Sequence, residues 1–148
     1  MVVSAPAYVS SEVRNWNAAE AGELARLKAI HIGNSAAVDS ALKTWAQANP
    51  KPLATLAQLA DHIDHIARRV GADHIGMGGD FDGIGDTTTG MEDVSTYPAL
   101  FTELARRGYS QADLEKISSR NMMRVLKAAE AYAATHRSDP PIENPTTF

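Results

Sequence analysis

The stretch that most constrains this chain is residues 72–86, Ala-Asp-His-Ile-Gly-Met-Gly-Gly-Asp-Phe-Asp-Gly-Ile-Gly-Asp. It reads as a short buried strand over residues 74–78 running into a glycine-rich turn that carries Asp80, Asp82 and Asp86. Helical patterns precede and follow it. In a parallel α/β protein the carboxyl ends of the strands are where loops converge, so chemistry concentrates there. Gly78 and Gly79 carry no Cβ and let the backbone bend sharply or press close to a neighbour. A chain that turns this tightly after a strand presents Asp80 at the strand mouth. The plainer reading of the same residues is a strand-to-helix connection with solvated aspartates.

The rest of the chain divides into helices. The opening residues MVVSAPAYVS are β-formers broken by Pro6, which predicts a strand over residues 1–5 with Tyr8 just past its carboxyl end. Ser10 or Ser11 caps a helix that Gly33-Asn34-Ser35 ends, and Asn34-Ser35 opens the next. That second helix carries Val38, Leu42 and Trp45 on one stripe and stops at Asn49-Pro50. Thr55 is the expected cap of the best amphipathic helix. Its Leu56, Leu59, Ala60, Ile63, Ile66, Ala67 and Val70 recur at i, i+3, i+4 and i+7 before Gly71 closes it. Residues 83–96 read as a long loop. Tyr97-Pro98 starts a helix with Leu100, Phe101 and Leu104 inward, and Ser110-Gln111-Ala112-Asp113 resembles a capping box for a short one. A break is expected at 118–121, then a last helix towards Ala134. The main body is expected over 1–136, with a proline-rich loose tail over 137–148.

Six helical segments and two strands separated by a helical crossover predict parallel pairing. Two parallel strands make no self-sufficient sheet, and a closed (β/α) barrel takes about 250 residues where this chain has 148. The expected fold class is therefore α/β, mostly helical with about two parallel strands, as the later part of something larger.

Bulk properties narrow the function. A net charge of −4 without a basic stripe argues against a nucleic-acid partner. The chain has no cysteine, which removes disulfides, thiolate metal sites and cysteine nucleophiles. No apolar run approaches a membrane span, and the mean hydropathy is −0.25. The first residues lack the basic start and apolar core of a signal peptide. The compartment is left open between cytoplasm and periplasm.

Three runs, DHIDHIARRVGADHIGMGGDFDG, GMEDVSTYPALFTELARRG and NMMRV, resemble the C-terminal part of the membrane (renal) dipeptidases, the M19 metallopeptidases. MVVSAPAYVS resembles the family strand whose following tyrosine contacts substrate, so the resemblance covers nearly the whole chain. It implies a TIM-like (β/α) barrel that hydrolyses dipeptides with two zinc ions bridged by a hydroxide, of which this chain holds the last two strands and their helices. By motif position Asp80 matches the aspartate that handles the proton beside the hydroxide, and Tyr8 the tyrosine that helps hold the substrate. The family's metal ligands (a His-x-Asp pair, a bridging Glu and two later His) match nothing here, nor does its substrate-gripping arginine. Where the family usually has glycine this chain has Ser119, and Met1 is expected to be an internal methionine of a longer protein. The implied function is a zinc dipeptidase represented by its C-terminal portion, lacking metal ligands and inactive alone until an N-terminal part of the barrel completes it. The alternative is a non-catalytic helical packing or oligomerisation module of the same ancestry. Open strand edges and apolar helix faces also favour self-association, a homodimer among its forms.

Other residues invite chemistry and are given plainer roles. His62 and His65 with Asp61 and Asp64 have helical metal spacing, yet Ile63 and Ile66 already define the buried face and a third ligand is missing. His31, His74 and His136 are isolated. Counted from Asp80, a calcium loop fails at Ile84 and at Met91, where the last ligand should be glutamate. Trp16 and Trp45 are read as packing residues. Arg68-Arg69 and Arg106-Arg107 are read as cations at helix ends.

Overall fold

The computed structural model describes residues 2–140 and is mostly helical, with one two-stranded sheet. Strands β1 (Val2–Val3) and β2 (Met77–Gly78) pair in parallel, Val2 opposite Met77 and Val3 opposite Gly78. Between them run α1 (Pro6–Val9), α2 (Ser11–Ile30), α3 (Ser35–Ala48) and α4 (Leu56–Val70), and after them come α5 (Tyr97–Arg106), α6 (Gln111–Glu115) and α7 (Asn121–Thr135). The parallel pairing and helical crossover are those the sequence predicts. The proline-rich end over 141–148 lies outside the described residues.

Caps set the helix starts. Ser10, Asn34 and Ser110 each accept a hydrogen bond from the third residue beyond, and Thr55 and Gln58 form a reciprocal capping box. Three expectations shift. Both strands are shorter than predicted, because Ala72–His74 form a 3₁₀ turn before β2 and Pro6 opens α1 immediately after Ala5. Tyr8 thus sits on a one-turn helix that the sequence reading missed. The expected break at 118–121 is a π-helical turn, Lys116–Arg120, leading directly into α7. Asn121 explains its persistence: it is buried at 7% exposure, and its side-chain amide donates to the carbonyls of Ala72 and Ile75 at 2.7 Å each. The wider turn is tied to the backbone that leads into β2.

The core joins these pieces. Leu59, Ala60 and Ile63 of α4 meet Ile75, Met91, Leu100 and Leu104 of α5, and Ile117 of the π turn. The long loop is not free of the body. Leu56 donates to the Thr89 carbonyl at 2.9 Å, and Thr89 donates to the Ala54 carbonyl at 2.8 Å. Met91, where a calcium loop would need its glutamate, is fully buried in this core.

Candidate active site

The parallel register sends both strands out at one end. β1 leads through Ser4 and Ala5 into α1, where Tyr8 is 66% exposed. β2 leads through buried Gly79 to exposed Asp80, whose φ of 56° is the one left-handed conformation outside glycine among the described residues. Aspartate tolerates this region better than most side chains because it is short and bonds locally. The Asp80 carbonyl accepts from the Gly83 amide at 2.9 Å, closing a tight turn. A Cβ on Gly83 would stand 2.5 Å from an Asp80 carboxylate oxygen, so the carboxylate lies over a backbone that only glycine leaves open. A Cβ on Gly79 would strike the Phe81 ring, which meets Tyr97 edge-on with centroids 5.9 Å apart.

Two buried hydroxyls stitch the strand ends together. Ser4, 1% exposed, donates from Oγ to the Gly79 carbonyl at 2.8 Å. Thr88, fully buried, donates from Oγ1 to the Ser4 carbonyl at 2.6 Å. Sequence reasoning missed both. A serine directly after a strand and a threonine within a Thr-Thr-Thr run carry no local signal, since the partners lie 75 and 84 residues away.

Beside this end a cleft of about 330 Å³ opens between Pro6, Lys51, Ala54, Asp86, Thr87 and Glu92. Lys51 pairs with Asp86 across it and lies 5.1 Å from the centre of the Trp16 ring. Trp16 in turn packs on Trp45, centroids 5.6 Å apart, and donates to the Asn49 carbonyl at 2.7 Å. Both tryptophans therefore have packing roles. The cleft's described lining includes neither Tyr8 nor Asp80.

The acidic residues beside His62 and His65 are already committed. Asp61 and Asp64 each accept from the Arg107 guanidinium at 2.6 Å, and Asp64 also accepts from the Tyr109 hydroxyl at 2.9 Å. Arg107 is thus a tertiary hub, a correction to the helix-end account drawn from the sequence. Burial, with the neighbouring His65, lowers the His62 pKa and favours its neutral ring. Among the described residues no group of three or more His, Asp or Glu side chains could hold a metal ion.

The sequence pattern of the family described as membrane dipeptidase (peptidase family M19) matches residues 1–140. Dipeptidase 3 of Macaca fascicularis is 42% identical over 91 residues, covering 62% of this chain and 19% of its own length. Dipeptidase tcpJ of Claviceps purpurea is 38% identical over 98 residues, covering 66% and 23% respectively. The crystal structure of the probable dipeptidase PvdM from Pseudomonas aeruginosa superposes with a TM-score of 0.59 at 29% identity, covering 82% of this chain and 34% of that one. The chain spans about a fifth of the length of the curated relatives it matches.

Proposed function

The chain belongs to the membrane dipeptidase family, and from that premise we propose that it is the C-terminal portion of a zinc-dependent dipeptidase barrel, supplying two neighbouring strands and their helices. Asp80 is its proton-transfer residue and Tyr8 its substrate contact. The observation that carries this reading is the Asp80 turn: an exposed carboxylate held in a left-handed conformation at the end of a strand whose parallel neighbour delivers Tyr8 at the same end. Left-handed non-glycine residues persist where surrounding structure holds them, and they concentrate at functional sites.

The donor set described here does not fit the pair of zinc ions that the resemblance implies, because no cluster with enough ligands is present among the described residues. Any such ions would be held by other residues. The roles of this chain's own groups follow from amide hydrolysis. A water must lose a proton as it attacks the peptide carbonyl, and the departing amine must gain one. A carboxylate at the strand mouth can take the first and return the second. The Tyr8 hydroxyl, on a side chain that is 66% exposed, can donate to or accept from a bound dipeptide.

The test is dipeptide hydrolysis with added zinc by the chain alone and by the chain mixed with a complementary N-terminal portion of a family barrel. The reading expects turnover only in the mixture and its loss in Asp80→Asn. Robust turnover by the isolated chain, or full activity of Asp80→Asn in the mixture, overturns it.

A second reading, a packing or oligomerisation module without chemistry, is favoured by α7. After Asn121 every residue of that helix is exposed, including Met122, Val125 and Leu126. It expects a stable associated state and no turnover in either arrangement.

A further inference from the structure

We propose that Ser4 is a positioning residue for Asp80: its buried hydroxyl, bonded to the Gly79 carbonyl, fixes the peptide plane from which Asp80 departs. The inference rests on Asp80 being the working carboxylate, but its geometry is independent of that reading.

A residue's φ describes rotation about its own N–Cα bond, measured from the preceding carbonyl carbon. Asp80 holds φ at 56°, so the direction of its carboxylate depends on the orientation of the Gly79–Asp80 peptide. Among the described residues the only side-chain bond to that peptide is from Ser4 Oγ to the Gly79 oxygen, at 2.8 Å. Ser4 is itself held: Thr88 Oγ1 donates to the Ser4 carbonyl at 2.6 Å, and both residues are at most 1% exposed. Gly79 is also buried and its Cα faces the Phe81 ring. Water therefore has little access to replace the serine hydroxyl, and its loss leaves a buried carbonyl without that partner. On the far side, the Gly83 amide bonds the Asp80 carbonyl and the bare Gly83 Cα leaves room for the carboxylate. The turn is thus held from both ends, from β1 through Ser4 and from the turn itself through Gly83. β1 is a lateral neighbour of β2, so the bond also couples the segment that carries Tyr8 to the segment that carries Asp80.

The bond sets geometry and takes no part in bond-making, so its loss should act on turnover more than on substrate affinity. The decisive measurement is made on the 148-residue chain by NMR. In Ser4→Ala the φ-sensitive amide–Hα coupling and the Cα and Cβ shifts of Asp80 are expected to move towards ordinary negative-φ values. In Tyr109→Phe, which loses a hydrogen bond to Asp64 elsewhere, they are expected to stay put. An Asp80 signature unchanged in a folded Ser4→Ala overturns the proposal. Should Ser4→Ala not fold, Ser4→Thr decides, because it keeps the hydroxyl: retention of the signature supports the proposal and its loss overturns it. In the mixture with an N-terminal barrel portion, Ser4→Ala should lower kcat about tenfold with KM within about twofold, and Ser4→Thr should recover most of it. An equal fall in kcat for Tyr109→Phe overturns the specific role. If Asp80→Asn remains fully active, the dipeptidase role of Asp80 fails while the NMR result still decides the serine's part.

Discussion

Arg107 and Asp64 form a 2.6 Å ion pair that joins the residue capping α5 to the middle of α4. The Arg107 side chain is 18% exposed, and its guanidinium also reaches Glu103 at 2.8 Å, Asp61 at 2.6 Å and the Ala57 carbonyl at 3.1 Å. One side chain thus fixes the angle between two helices that contribute Leu59, Ile63, Leu100 and Leu104 to the core. Replacement by methionine keeps the apolar stem and removes every donor. Because Asp61 stays largely in water, screening limits the loss. Arg107→Met is expected to lower the unfolding free energy by about 1–2 kcal/mol, read as a shift of the urea midpoint with unchanged slope.

The same network predicts how stability depends on pH. Hydrogen bonds from Arg106 and then Arg107 hold the Glu103 carboxyl down to about 2, against 4.5 for a free glutamate. A depressed acid stabilises the fold above its unfolded pKa, and the contribution disappears as pH falls from about 4.5 through about 2. Burial, then the bond to Asp64, raises the Tyr109 hydroxyl to about 12 from 10.0. A raised group stabilises below its unfolded pKa, so that contribution is lost between about 10 and 12 as pH rises. Thermal melts across pH should fall at both limbs. Glu103→Gln should flatten the acid limb and Tyr109→Phe the alkaline one.

Thr55 and Gln58 satisfy one another's backbone donors at the start of α4, with the Thr55 amide 2.9 Å from the Gln58 carboxamide oxygen. This helix carries three of the eight buried residues in the main core cluster among the described residues, so fraying of its first turn reaches the interior. Thr55→Ala is expected to cost about 1 kcal/mol, measured by denaturant unfolding. Gln58→Ala should lose less, because it leaves the threonine oxygen in place for the helix amide.

What the sequence made legible depended on the range of the signal. Caps at Ser10, Asn34, Thr55 and Ser110 and the spacing from Leu56 to Ile63 are local, and helix starts follow them closely. The Asp80 turn was legible because Gly79, Gly83 and the aspartate fall within five residues. The hub at Arg107 was not, because a helix-end arginine has a sufficient local explanation while its partners lie on α4, 43 and 46 residues away. The π turn at Lys116–Arg120 was hidden likewise: its Ser-Ser-Arg reads as a break, and only the bonds from Asn121 to Ala72 and Ile75 show what the extra residue accommodates. Ser4 and Thr88 belong to the same class, polar residues whose meaning lies across the fold.

Asp80 occupies a backbone region where glycine is unstrained, so stability and the proposed chemistry pull in opposite directions there. Asp80→Gly relieves the left-handed conformation while adding freedom to the unfolded chain. The two effects are of similar size, and the variant should unfold within about 1 kcal/mol of the parent. Turnover in a completed barrel should nevertheless fall by about 10²–10⁴-fold, the range for loss of a general acid–base group. A large drop in stability on making Asp80→Gly would show that the carboxylate is part of the structure's own support.

The packing-module reading rests on the apolar stripe of α7. Met122, Val125 and Leu126 are each about half exposed, at 47%, 57% and 50%, and they share one helix face at i, i+3 and i+4. The Met122 side chain rests against the Gly76 backbone, and the other two reach solvent. Burying a leucine gains about 1.5 kcal/mol or more, and a symmetric contact buries each residue twice. The chain should therefore associate with itself as concentration rises, its sedimentation coefficient increasing over the micromolar range. Leu126→Lys should weaken association by about 10²-fold, two losses of about 1.4 kcal/mol each. Lys127→Glu, a charge change on the same helix away from the stripe, should shift it far less. Equal sedimentation of Leu126→Lys and the parent at every concentration would place the contact on another face.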